Sequence, residues 1–126
     1  MIKSISTAIT KIFGSKSDKD IKAILPLVKK VIAEQEKLKS LSHDELRAKT
    51  SEFKKFIKDF VSSEESQIEE LTKKANAPAL LVKEKTAIFE EIDDLTKLVE
   101  TKIEEALDKI LPEAFATIRE TSRRFK

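Results

Sequence analysis

The chain has no cysteine, no tryptophan, no tyrosine, one histidine and one glycine in 126 residues. Each shortage removes a class of chemistry. Without cysteine there is neither a disulfide framework nor a thiolate metal site, and one histidine cannot complete a zinc centre. A phosphate-binding P-loop takes two glycines and a dinucleotide-binding turn takes three, so Gly14 alone builds neither. No apolar run approaches the roughly 20 residues of a membrane span. The first 13 residues lack the unbroken apolar stretch of a signal peptide. These absences predict a chain that is not a self-contained enzyme, with no catalytic residue, cofactor site or metal ligand of its own.

What is present is charge of both signs and aliphatic carbon. Charged residues make up 38% and hydrophobic ones 40%, and 25 Lys plus Arg against 23 Asp plus Glu leave a net charge of +2. A mixture dominated by Ala, Glu, Lys, Leu and Ile is that of long, solvent-rimmed helices, so the expected fold class is all-α. The charge is unevenly placed: residues 1–30 carry +5, residues 31–111 carry −5 and residues 112–126 carry +2. The basic bias falls on the N-terminal end, where it suits an anionic surface.

Apolar spacing then divides the chain. Ile2, Ile5, Ile9 and Ile12 recur at steps of three and four, Phe13 extends the stripe, and Lys3 and Lys11 lie off it. That is a short amphipathic helix, with Gly14 where a left-handed cap belongs. The stripe fits a membrane surface or a partner, and it equally fits packing on another helix. The candidate contact residues are therefore Ile2, Lys3, Ile5, Ile9, Lys11, Ile12 and Phe13. A second helix over 18–39, capped by Ser17 or Asp18, sets Ile21, Ile24 or Leu25, Val28, Ile32 and Gln35 on one face. Pro26 predicts a kink or a late start in it.

Ser42 and Glu45 have capping-box spacing, with Leu41 and Leu46 as a hydrophobic staple, and open a third helix at His43. This helix runs through Phe53, Phe56, Ile57, Phe60 and Val61, with an interruption signalled at Ser62 by the same spacing to Glu65. Asn76-Ala77-Pro78 is the strongest turn signal. From Ala79 a fourth helix carries Leu81, Ile88, Ile92, Leu95, Val99, Ile103, Leu107 and Ile110 at near-heptad steps. Residues 79–110 would make a rod of roughly 48 Å, too long for a globule with a radius of gyration of about 14 Å. The spacing predicts a long antiparallel hairpin about Pro78, whose near-heptad faces also suit a homodimer seam. Pro112 opens a final helix lined by Phe115, Ile118, Ser122 and Phe125. That stripe finds no cover within the chain, which predicts a longer parent.

The remaining signals have plain readings. His43 is a first-turn surface residue, and Glu90-Glu91, Asp93-Asp94 and Glu104-Glu105 point apart on a helix. Pairs such as Asp93 with Lys97 mark a solvated face rather than a metal site. Nearly all of the seven Phe lie on helical apolar stripes and read as core. With only Arg123-Arg124 to meet phosphate, no nucleic-acid partner is expected.

Three segments taken together resemble the extreme N-terminus of the SecA family of bacterial preprotein translocase motors. Ile12-Phe13-Gly14-Ser15 and the polar joint after it match the family's opening. Leu41-Ser42-His43-Asp44-Glu45-Leu46-Arg47-Ala48-Lys49-Thr50-Ser51-Glu52-Phe53 is similar to its Leu-Ser-Asp-Glu-Glu-Leu-Arg-x-Lys-Thr-x-Glu-Phe block. Leu111-Pro112-Glu113-Ala114-Phe115-Ala116-Thr117-Ile118-Arg119-Glu120 is similar to Leu-Pro-Glu-Ala-Phe-Ala-Val-Val-Arg-Glu, and Arg123-Arg124 continues it. The resemblance covers residues 5–58 and 104–126; the stretch between exceeds the family's usual link and reads as a lineage-specific helical insertion.

The resemblance implies four segments: an amphipathic helix over 1–14, a helical segment over 15–60, an inserted hairpin portion over 61–104, and the start of a truncated nucleotide-binding motor domain over 105–126. It also implies that the full-length protein uses ATP and Mg, docks on the SecYEG channel and anionic lipid, and moves preproteins. The implied location is cytoplasmic, peripherally associated with the inner face of the cell membrane. In the family the adenine-contacting segment and the Walker A loop lie beyond the Arg-rich end seen here, so no catalytic or ATP-binding residue carries over. The helix Ile2–Phe13 is what carries over, as a membrane, channel or subunit contact. The alternative is an independent helical interaction module whose hairpin binds a partner.

Overall fold

Two serines set where the first helices begin. The computed structural model describes residues 14–126, which form α1 (Lys16–Leu38), α2 (His43–Ala75) and α3 (Val82–Arg124), with no strand among the described residues. The all-α expectation holds. Gly14 takes the left-handed backbone at φ 72°, a conformation that suits glycine. Ser15 then caps α1: its Oγ accepts from the Asp18 amide at 3.1 Å, and Asp18 accepts from the Ser15 amide at 2.8 Å. The cap is thus two residues earlier than Ser17, and Asp18 serves as the returning partner. Ser42 and Glu45 make the expected reciprocal pair at 3.2 and 2.7 Å. At Leu81 a capping side chain is missing, and Glu84 alone reaches back to the Leu81 amide at 3.0 Å.

Neither proline breaks a helix. Pro26 sits inside α1 and Pro112 inside α3, so the separate final helix expected from Pro112 is instead the end of one 43-residue helix. Each ring withholds an N–H from the carbonyl four residues earlier. Those carbonyls belong to Lys22 and Asp108, both exposed residues, so solvent can reach them. Ser62 does not interrupt α2 either. Its hydroxyl donates to the Asp59 carbonyl at 2.9 Å and is satisfied within the helix.

α2 and α3 form the antiparallel hairpin, about 50 Å long at 1.5 Å per residue over the 33 residues of α2. Ile88, Ile92, Leu95, Val99, Ile103 and Ile110 are half-buried, so the near-heptad face of α3 is used inside this chain. Leu107 departs from the expected stripe: it is exposed, and its neighbour Ala106 is fully buried. Among the described residues the buried apolar ones are Leu38, Leu46, Val61, Ala75, Ala106 and Ala116. Three of these six are alanine, so the helices approach closely and large rings are displaced to the flanks of the seam. This corrects the reading of the phenylalanines as core. Phe56, Phe89, Phe115 and Phe125 are exposed, and no described phenylalanine is fully buried. Phe60 stacks on Phe56 at 5.8 Å and lies under the Lys109 ammonium at 4.6 Å.

Charge fixes the hairpin register. Lys49 bridges Glu52 at 2.8 Å and Glu113 at 3.0 Å near the base, and Lys102 meets Glu64 at 2.6 Å further along. Both carboxylates hold Lys49's pKa above its ordinary value, through hydrogen bonds led by Glu52. On the outer face Lys97 pairs with Asp94 at 3.6 Å rather than with Asp93.

Ala106 shares a face of α3 with Lys102 and Lys109, four residues before it and three after. Those two lysines reach α2 at Glu64 and Phe60. Ala106→Leu should therefore wedge the seam and lower stability by about 1–3 kcal/mol in urea unfolding. Leu107→Ala, on the exposed side, should change it by less than about 0.5 kcal/mol.

Candidate functional site

The contact residues expected at the N-terminus, Ile2, Lys3, Ile5, Ile9, Lys11, Ile12 and Phe13, lie outside the described residues, apart from the Gly14 joint that follows them. Among the described residues, the most constrained chemistry is at the other end of α1. There α1 lies against the last turns of α3, and the connection of residues 39–42 carries the chain into α2.

Glu120 is the centre of this junction, with no exposed surface. Its Oε1 accepts from Arg123 Nη2 at 2.7 Å and from Arg124 Nε at 2.9 Å. Its Oε2 accepts from Arg123 Nε at 2.9 Å and from Gln35 Nε2 at 3.3 Å. The hydrogen bonds of Arg123, then those of Arg124, hold the Glu120 carboxyl far below the usual carboxylate range, against the opposing effect of burial. A carboxylate so engaged stays ionised across the ordinary pH range.

Arg124 passes this anchorage to the connection. Its Nη2 donates to the carbonyls of Leu38 at 3.2 Å and Leu41 at 2.7 Å, and its Nη1 lies 3.2 Å from His43 Nδ1. For that last contact to be a hydrogen bond, His43 carries its proton on Nε2. Only a planar guanidinium serves donors in so many directions at once. Beneath it Leu38, Leu46 and Ala116 pack together, with Val31 and Leu41 against them. The staple pair Leu41 and Leu46 is thus in place, and Arg123 and Arg124 form a clamp on Glu120.

The sequence points to His43, Arg123 and Arg124 individually but not to Glu120 or to its link with Gln35. One signal was available. Gln35 falls on an otherwise apolar face, and Glu120 stands three and four residues before two arginines.

On α1 and beside the clamp, two apolar surfaces of the described residues remain uncovered. Ile21, Ile24, Leu25, Val28 and Ile32 are all exposed on α1, because the helix packs through Leu27, Val31, Gln35 and Leu38. At 100° per residue the two faces are about 90° apart. The apolar face expected from sequence is therefore not the packing face. The second surface is an open groove of about 540 Å³ beside the clamp, with His43, Leu46 and Arg47 on α2 facing Ile118 and Phe125 at the end of α3. Among the described residues no cluster of His, Cys, Asp and Glu is placed to hold a metal ion. No described helix is long and apolar enough to cross a membrane.

The buried carboxylate gives a signed pH dependence. A depressed carboxylate pKa stabilises the fold above the ordinary value of 4.5, and that contribution disappears as the pH falls toward the lower folded value. Glu120→Gln should therefore lower the thermal midpoint at pH 7 and also flatten its fall below about pH 4.5, read as the difference from the parent chain in parallel melts. A parallel displacement of the two curves at all pH values would contradict this role.

Comparison with known proteins places these features. The family model for the SecA DEAD-like domain matches residues 9–126. The chain is 46% identical over 117 residues to the protein translocase subunit SecA of Parabacteroides distasonis, and 45% identical over 117 residues to that of Phocaeicola vulgatus. It is 43% identical over 116 residues to that of Chloroherpeton thalassium. These alignments cover 92–93% of this chain and 10–11% of the relatives, so the chain spans about a tenth of their length. No solved structure matches it. Coverage of 93% is reached only if most of the hairpin stretch is included, so these relatives share it. The chain belongs to the SecA DEAD-like domain family.

Proposed function

We propose that the chain is the helical N-terminal section of a protein-export motor and serves as the mount for a membrane or channel tether. The observation that carries the reading is where the family-like segments meet. Residues 41–53 and 111–120 are far apart in sequence, yet Lys49 bonds Glu113, Leu46 packs with Ala116, and Arg124, just beyond Glu120, grips the Leu41 carbonyl. In this reading the two blocks are alike across the family because they build one junction.

The wider protein then acts as a preprotein-translocating ATPase that binds ATP with Mg through residues elsewhere. It works on the cytoplasmic face of the cell membrane with the SecYEG channel, preprotein and anionic lipid as partners. No ATP ligand or catalytic group is assigned to these 126 residues. Ile2, Ile5, Ile9, Ile12 and Phe13 supply the apolar side of the tether, and Lys3 and Lys11 meet anionic headgroups. Gly14 in its left-handed conformation separates this stripe from the Ser15-capped start of α1.

Co-flotation with vesicles rich in phosphatidylglycerol tests the tether. Removal of residues 2–13 should reduce recovery at least tenfold while leaving helix content from α1 to α3 unchanged by circular dichroism. Equal recovery after the deletion would sink the assignment.

A further inference from the structure

The turn joining α2 to α3 reverses the charge of the arm that carries it. In residues 62–71 and 86–101, which form the shaft on either side, nine carboxylates stand against one lysine. Between them, residues 72–85 hold four lysines and one glutamate. A cap of +3 thus sits on a shaft of −8. Its one carboxylate, Glu84, is turned back onto the Leu81 amide at 3.0 Å, and Lys73 is paired with Glu69 at 2.6 Å. Lys74, Lys83 and Lys85 make no ion pair among the described residues.

The cap is also apolar where turns are ordinarily polar. Ala77-Pro78-Ala79-Leu80-Leu81-Val82 is a run of six residues without a polar side chain, where Asn, Asp, Ser and Gly usually serve. Leu81 and Val82 are 70% and 81% exposed. Neither contributes to the buried core, so the seam does not account for them.

We propose that this tip is a docking element for an anionic phospholipid bilayer, with Leu81 and Val82 entering the headgroup boundary and Lys74, Lys83 and Lys85 meeting phosphates around them. Charge and shape favour a bilayer over a protein partner. A peptide is usually taken by a groove or a free sheet edge, whereas the apolar groove lies beside the clamp, about 50 Å away at the other end of the arm. A convex basic cap with an aliphatic centre matches a flat anionic surface. The acidic shaft is repelled by that same surface. With attraction confined to about 8 Å by physiological salt, contact is restricted to the tip and the arm stands end-on. Two aliphatic residues and three free lysines give weak binding alone, so the tip acts as a second attachment beside another. The inference does not depend on the role given to residues 2–13.

Leu81→Trp in the full 126-residue chain, which has no other tryptophan, makes the test local. Vesicles of phosphatidylglycerol with phosphatidylcholine should shift its emission to the blue, and pure phosphatidylcholine vesicles should not. The shift should vanish when Lys74→Glu, Lys83→Glu and Lys85→Glu are added. Leu98→Trp, on the exposed side of the shaft, should stay unshifted with either vesicle. All these positions lie outside the buried core, and circular dichroism checks that each variant keeps its helices. A Leu81→Trp chain that floats with anionic vesicles while its indole emission stays unchanged overturns the tip proposal and leaves the tether intact. A shift that survives the three lysine changes, or is equal on phosphatidylcholine, also overturns it. So does a shift given by soluble polyglutamate but by no vesicle, which would assign the tip to an acidic protein.

Discussion

A carboxylate with no exposed surface is tolerable only when its charge is answered and its oxygens are occupied. Glu120 meets that condition through four donors on three side chains: both arginines that follow it and Gln35 of α1. The position of α1 on the rest of the molecule depends on this arrangement. Arg124 then directs its other nitrogens to the carbonyls of Leu38 and Leu41, so the connection into α2 is held by the same group. The buried apolar residues around it, Leu38, Leu46 and Ala116, are too few to fix three long helices by burial alone.

The hairpin follows the same pattern on a larger scale. Its seam is narrow and lined by alanines, and its register is set by Lys49 with Glu113 and Lys102 with Glu64. A seam of this kind leaves most side chains outside. The outcome is an elongated molecule that presents distinct surfaces: a bare aliphatic stripe on α1, an open groove at the clamp, and a basic aliphatic tip on an acidic arm.

Much of this was legible in the residues. The all-α class, the hairpin about Pro78 and the Ser42–Glu45 start came from periodicity and capping chemistry, which are local. The structure departs from local pattern where long-range packing decides. Nothing local distinguishes Ala106 from Leu107 as the inward residue, or Leu27 and Val31 from Ile24 and Val28, since both choices complete an apolar stripe. Pro26 signals a kink or a late start and Pro112 a new helix, yet both lie inside helices, and the carbonyls they free belong to exposed residues. Glu120 was invisible as a centre because its partner Gln35 is 85 residues away. The blocks resembling the SecA family meet at this junction.

Hydrogen exchange on the Glu120→Ala chain addresses the central claim most directly, because it resolves the junction from the arm. If Glu120 and Arg124 hold α1 and its connection, amides of residues 31–46 should lose protection by at least tenfold. Those of α2 and α3 between residues 55 and 105 should keep theirs. Unchanged protection over 31–46, or a uniform loss along the whole chain, would contradict the account.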